Sequence, residues 1–219
     1  MSQFGIIGEG FTDQITIENI LCGFFQASDL EDEIQYLLPP QNEPDKGAWW
    51  RVFQRIAGEE FKNDVLNNEF VILQIDTDVS EKQNFNVPKI DENGNLLSVE
   101  SLISKVIDRL IVEINKEDAT FYQLYKNKII FAISVHSLEC WLIALHDESK
   151  MTTEECFDEL RKIKFTNFPE IPHNFQVAKK YSKYNTLSQP FLIREHIDAV
   201  VEKDTSFKHF IQQLQSISP

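Results

Sequence analysis

The sequence predicts an α/β fold: a mainly parallel central sheet of about four strands flanked by helices, with a helical region appended at the C-terminus. Three observations predict it. Short apolar runs alternate with longer stretches of helical spacing. The runs are apolar almost throughout, as strands read when both faces of a sheet are covered. After Ser149 the text is helix and loop only.

The elements follow in order. "QFGIIG" (3–8) is a short apolar run bounded by Gly, a buried strand. Residues 12–27 place Ile15, Ile17, Ile20, Leu21, Phe24 and Phe25 at helical spacing, with Thr12 as the expected N-cap and Asp13 in the first turn. "EIQYLLPP" (33–40) reads as a second strand closed by its prolines, and residues 47–68 read as helix. "EFVILQIDTD" (69–78) is the clearest strand, a continuous apolar run that ends in acids. Residues 79–97 form a polar loop; a helix starts at Ser98 and carries Leu102, Val106, Leu110 and Ile114. A partly helical stretch (117–127) leads into a fourth strand, "KIIFAISVH" (128–136), and then into a helix over 137–147. The break near 149–151 divides an expected α/β core (1–149) from a helical C-terminal region (150–219) packed on it.

Composition bounds the function. A chain of 219 residues with 42% hydrophobic content and 17 Phe can bury a sizeable core. Seven Gly and eight Pro exclude fibrous or low-complexity material. No stretch approaches the ~20 apolar residues of a membrane span, so no membrane association is expected. The opening "MSQFGIIGEG" lacks a basic region and a cleavage site, so no signal peptide is expected and the protein reads as cytoplasmic. Cys22, Cys140 and Cys156 form no metal-type pair and are expected to be reduced thiols.

The net charge of −14 argues against nucleic acid as a partner when taken alone. Its distribution argues the other way. Between positions 161 and 194 lie Arg161, Lys162, Lys164, Lys179, Lys180, Lys183 and Arg194, with Glu170 as the only acid. Phe165, Phe168, His173, Phe175, Tyr181, Tyr184 and Phe191 are interleaved with them. Basic plus aromatic is the composition of a single-strand stacking groove. It is also that of a solvated surface whose aromatics face the core, and the sequence leaves both readings open.

The candidate chemistry lies in the acids. Open parallel sheets gather function beyond the carboxyl ends of their strands. Glu9 and Asp13 follow the first strand; Asp76 and Asp78 end the third. If those strands are neighbours, the carboxylates converge, and like charges raise one another's pKa unless a cation neutralises them. Oxygen-only ligands suit Mg²⁺ or Mn²⁺. In an extended segment Asp76 and Asp78, at i and i+2, point the same way. "GEGFTD" starts like a dinucleotide-binding loop, but Glu9 inside it and Asp13 at the third glycine position would repel a pyrophosphate. A D-x-D after an apolar strand also occurs in nucleotidyl- and glycosyl-transferases, and that reading remains an alternative.

"GIIGEGFTD" followed by "VILQIDTD" resembles the Toprim domain of topoisomerases, primases, small RNA maturases and overcoming-lysogenisation-defect nucleases. That pattern has a Glu after the first strand and a D-x-D after the third, matched by Glu9, Asp76 and Asp78; Asp13 stands where nuclease-type members usually carry Glu. "GAWWRVFQRI", "SVHSLECWLIAL" and "HIDAVVEKDTSFKHFIQQL" resemble segments of small stand-alone bacterial Toprim-like proteins. The resemblance implies a Mg²⁺-dependent nuclease with Glu9, Asp76 and Asp78 catalytic. Its metal would be held by Glu9, Asp13, Asp76 and Asp78, with Glu139 as a further ligand. Arg161, Lys162, Lys164, Lys179, Lys180, Lys183 and Arg194 would contact DNA or RNA. It further implies a role in anti-phage defence beside an ATPase encoded nearby. A non-catalytic partner or regulatory subunit of such an ATPase is the second alternative. Glu139 reads equally as a helix N-terminal acid, Trp141 as core, and adjacent Trp49 and Trp50 as one inward and one outward.

Overall fold

The computed structural model describes residues 2–27, 29–43, 47–147 and 155–217. β1 (Ser2–Ile7), β2 (Ile34–Leu38), β3 (Asn68–Asp76) and β4 (Ile129–Ser134) form one parallel sheet in the order β2-β1-β3-β4. The fold class is therefore the expected one. β1 lies between β2 and β3, with Ile6 opposite Ile72 and Ile7 opposite Leu73. The first and third strands are thus neighbours, and their carboxyl ends open on the same side.

Strand side chains alternate between two apolar layers. Phe4, Ile6, Phe70, Ile72, Ile130 and Ala132 enter one layer, with α1 (Phe11–Phe25), α6 (Glu139–His146), α7 (Cys156–Leu160), α8 (Tyr181–Ser188), α9 (Arg194–Val201) and α10 (Thr205–Gln215). Ile7, Val71, Leu73, Ile75, Phe131 and Ile133 enter the other, with α2 (Trp49–Ile56), α3 (Glu59–Asn67), α4 (Val99–Ile114) and α5 (Phe121–Tyr125). The C-terminal helices share a single hydrophobic cluster with α1 and α6. Gly23 permits the contact: a Cβ there would lie 1.8 Å from the Phe191 carbonyl oxygen. At the β4 edge, the Gln213 side chain on α10 completes the sheet. Its Oε1 accepts from the Phe131 N–H at 2.9 Å and its Nε2 donates to the Phe131 oxygen at 2.7 Å. A side-chain amide thus takes the place of a neighbouring strand and blocks edge pairing.

Several local expectations are revised. The single helix over 47–68 is two helices, broken at Ala57–Gly58, where glycine's backbone entropy disfavours continuation. α1 is capped by Gly10 rather than Thr12. β3 ends at Asp76, so Asp78 lies beyond the extended segment and the i, i+2 argument does not apply to it. Cys140 and Cys156 are joined by a disulfide, Cα–Cα 5.2 Å, which corrects the expectation of three reduced thiols; Cys22 alone is free. The packing of α7 on α6 brings the two sulfurs together, and sequence spacing carries no trace of it. No helix among the described residues is long and apolar enough to cross a membrane.

Candidate functional site

The site begins where β1 runs out. Gly8, Glu9 and Gly10 lead from Ile7 into α1, and the Gly8 N–H stays tied to the sheet through the Leu38 oxygen at 2.8 Å. The backbone around Glu9 is crowded: a Cβ on Gly47 would meet the Glu9 carbonyl oxygen at 2.1 Å. Glycine at 47 lets the start of α2 lie directly against the Glu9 segment.

Glu9 and Asp76 form one hydrogen-bonded unit. The Glu9 Oε1 accepts from the Asp76 N–H at 2.7 Å. The fully buried Gln74 side chain bridges the pair: its Oε1 accepts from the Glu9 N–H at 3.0 Å, and its Nε2 donates to Asp76 Oδ1 at 2.9 Å. The Leu138 N–H, before α6, donates to the same Oδ1 at 3.0 Å. Asp13 and Glu139, both buried, approach from α1 and α6. Glu139 accepts from the Tyr184 hydroxyl and pairs with Lys179 Nζ at 3.1 Å. Asp78 is exposed, its N–H donating to the His136 oxygen at 2.8 Å. The turn there is locked by His136, at φ 66°, whose N–H donates to Thr77 Oγ1 at 2.8 Å.

The electrostatics follow from burial and crowding. Burial pushes Glu9 up to about 8; the Asp76 N–H bond and Lys179 oppose this, and the charges of Asp13 and Asp78 add to it. Asp13 is pushed up to about 7, first by burial and then by Glu139. Asp76 is held well above the carboxylate range by burial, then by Glu9, Asp13, Glu139 and Asp78. Glu139 goes the other way: burial would raise it, but Lys179 and hydrogen bonds from Ser137 and Tyr184 hold it low. Lys179 thus keeps Glu139 ionised, while Glu9, Asp13 and Asp76 hold their protons more tightly than free carboxyls do.

The structure brings Glu9, Asp76, Asp13 and Glu139 into mutual electrostatic range and turns Asp78 outward. As they stand, no three His, Cys, Asp or Glu side chains among the described residues form a group that could hold a metal ion. The donor chemistry is all carboxylate oxygen, the set hard divalent cations take.

The basic stretch is dispersed. Arg161 pairs with Asp158 at 3.6 Å, Lys162 with Glu159 at 2.6 Å and Arg194 with Asp198 at 3.1 Å, so acids just outside the stretch offset much of its charge. Lys183 Nζ lies 4.1 Å over the Phe175 ring, while Lys164 and Lys180 are exposed. Phe165, Tyr184 and Phe191 are core, and Tyr181 and His173 are the exposed rings of the set. Sequence reasoning missed Gln74 as a bridge, although one polar residue inside "VILQID" is a readable signal because buried polar groups need partners. Tyr184 left no such signal, since only the docking of α8 brings it to Glu139.

The chain matches no family model, no curated protein and no solved structure.

Proposed function

We propose that the chain is a divalent-metal-dependent nuclease of Toprim type that hydrolyses phosphodiester bonds in DNA or RNA. The observation that carries this reading is the Glu9–Gln74–Asp76 unit at the carboxyl ends of adjacent strands, backed by Asp13 and Glu139. Desolvated carboxylates that raise one another's pKa are an arrangement that a cation stabilises. The resemblance of "GIIGEGFTD" and "VILQIDTD" to the Toprim pattern supports the same residues.

Glu9, Asp13, Asp76 and Asp78 would hold Mg²⁺ or Mn²⁺, with Glu139 as a further ligand. Such an ion, when bound, polarises the phosphodiester, activates water and stabilises the leaving oxygen. The chain's own groups do the rest. Gln74 fixes the separation of Glu9 and Asp76. Tyr184 orients Glu139, and Lys179 adds N–H donors beside the carboxylates for a phosphate oxygen. The expected defence ATPase, if it is the partner, is to be sought by pull-down with neighbouring gene products.

The test is cleavage of single-stranded and duplex DNA and of RNA by wild type and Asp76→Asn. Wild type cleaves with Mg²⁺ or Mn²⁺ and stops in EDTA. Asp76→Asn loses at least about a hundredfold in rate, the scale of removing one transition-state-stabilising group. Its melting temperature is unchanged or higher, because a desolvated carboxyl is replaced by a neutral amide whose oxygen keeps the bonds from Gln74 and Leu138. A wild type that cleaves no substrate with either metal refutes the reading.

A further inference from the structure

Among the described residues, Trp50 and Tyr181 are the only exposed Phe, Tyr or Trp side chains, at 47% and 41%. They lie far apart in sequence, yet both belong to segments that abut the acid group. Trp50 stands in the first turn of α2, and Gly47, just before that turn, packs against the Glu9 backbone. Tyr181 begins α8, next to Lys180 and two residues after Lys179, which pairs with Glu139. Its ring contacts Phe11, in the first turn of α1 just after Glu9, at 5.2 Å between centroids. The acid group therefore has an exposed ring on the α2 side and another on the α8 side.

Each ring is accompanied by positive charge in a chain that is strongly acidic. The Arg51 guanidinium sits 4.7 Å from the Trp50 ring centroid. Trp50 also borders a cleft of about 690 Å³ with Phe53, Asn84 and Asn86, whose far wall carries Lys116, Glu117 and the Arg109–Glu113 ion pair. The end of this space nearest Trp50 offers a ring face and amide groups to a base, and Arg51 beside the ring is the cation for its phosphate. Lys179 and Lys180 stand beside Tyr181. A second cavity, of about 490 Å³, borders Tyr181 and is lined by Glu18 and Glu31; its charge disfavours phosphates and leaves the Lys179–Lys180 side to them. Isolated exposed apolar residues need no explanation. Two aromatics with adjacent cations, both on segments that border one candidate site, fit a strand whose phosphates meet cations and whose bases stack on rings.

Resting on the nuclease reading, we infer that the substrate is single-stranded nucleic acid, one base stacking on Trp50 and another on Tyr181, with the strand between them crossing the acid group. A duplex keeps its bases stacked on one another and cannot use either ring. DNA and RNA share the stacking chemistry and are separated by the choice of probe.

The test is binding, read apart from cleavage. A labelled oligothymidylate, an oligouridylate and a duplex of the same length are titrated against wild type in Ca²⁺ by fluorescence anisotropy, with tryptophan emission followed in parallel. Single strands bind wild type at least tenfold tighter than duplex and quench tryptophan emission. Trp50→Ala and Tyr181→Ala each weaken single-strand binding about tenfold, within the range of losing one stacked base. Trp50→Phe and Tyr181→Phe stay within about twofold, and circular dichroism confirms that all four variants are folded. Equal affinity of wild type for duplex and single strand overturns the inference, as does unchanged binding by both alanine variants, while metal-dependent cleavage in those cases leaves the nuclease reading standing. A wild type that binds no nucleic acid and cleaves none overturns both.

Discussion

The two faces of the sheet are built differently. On the face covered by α2 to α5, the interior is mainly aliphatic and aromatic. Its buried charge, Asp64, is matched by Arg55 through two hydrogen bonds of 2.8 Å. On the opposite face, polar contacts run through the core. Asn19 Nδ2 donates to Ser188 Oγ at 2.7 Å and Trp141 Nε1 donates to Ser206 Oγ at 2.8 Å. His146 Nε2 meets the Leu187 oxygen at 2.8 Å, and Cys140 is bonded to Cys156. Asp13 and Glu139 belong to this second face. The first face holds the strands in register; the second presents two of the buried acids and locks the helices that carry them. Directional contacts fix side-chain orientation where apolar packing fixes only distance.

The largest test of this contrast pairs two core truncations. Trp141→Ala and Phe61→Ala each cost about 3–5 kcal/mol, since both side chains are fully buried. Measured at a temperature where both variants are folded, Trp141→Ala also impairs the metal-dependent cleavage proposed above, because Trp141 shares α6 with Glu139, whereas Phe61→Ala leaves it near wild type. Equal loss in both would dissolve the distinction between the faces. Next comes the disulfide. The Cys140–Cys156 bond closes a loop of 16 residues, so reduction, or Cys140→Ala with Cys156→Ala, lowers stability by about 3 kcal/mol in denaturant titration.

His146 offers a pH test on the same face. Burial lowers its pKa from 6.5 to about 4, against the opposing hydrogen bond to Leu187. The unfolded chain therefore takes up a proton that the folded one refuses. This contribution is fully present above pH 6.5 and is lost as pH falls from there towards 4, reaching on the order of 3 kcal/mol. His146→Gln flattens that acid-side loss in melting temperature relative to wild type; parallel profiles would mean that His146 is not the group. The smallest effect is at the surface. Lys162→Ala, which removes the exposed pair with Glu159, leaves the denaturant midpoint indistinguishable from wild type.

Much of the fold was legible because burial on both faces writes a continuous apolar run at each strand. "VILQID" and "IIFAIS" announce β3 and β4 without ambiguity. The break at Ala57–Gly58 was less legible, because "GAWWRVFQRIAGEEF" keeps helical composition through it. Glu9, Asp13 and Asp76 were readable as candidates, since acids that end buried strands stand out against their neighbours. Asp78 was misplaced by extending β3 two residues too far, past the point where Thr77 turns to pair with Ser134 and His136. The aromatics at 161–194 were readable as a class but not as individuals: Phe165, Tyr184 and Phe191 are core, Phe168 and Phe175 half-buried, and His173 and Tyr181 exposed.

The sequence by itself determined the parallel sheet, the two covered faces and the acids at the ends of β1 and β3. These rest on local periodicity and on where apolar runs stop, which are properties of neighbouring residues. Only the tertiary structure decided that β1 lies beside β3, that Gln74 bridges Glu9 to Asp76, that Lys179 and Tyr184 converge on Glu139, and that Cys140 meets Cys156. Each of those joins residues separated by long stretches of chain, and contacts of that kind are set by how whole layers pack rather than by any pattern a short window contains.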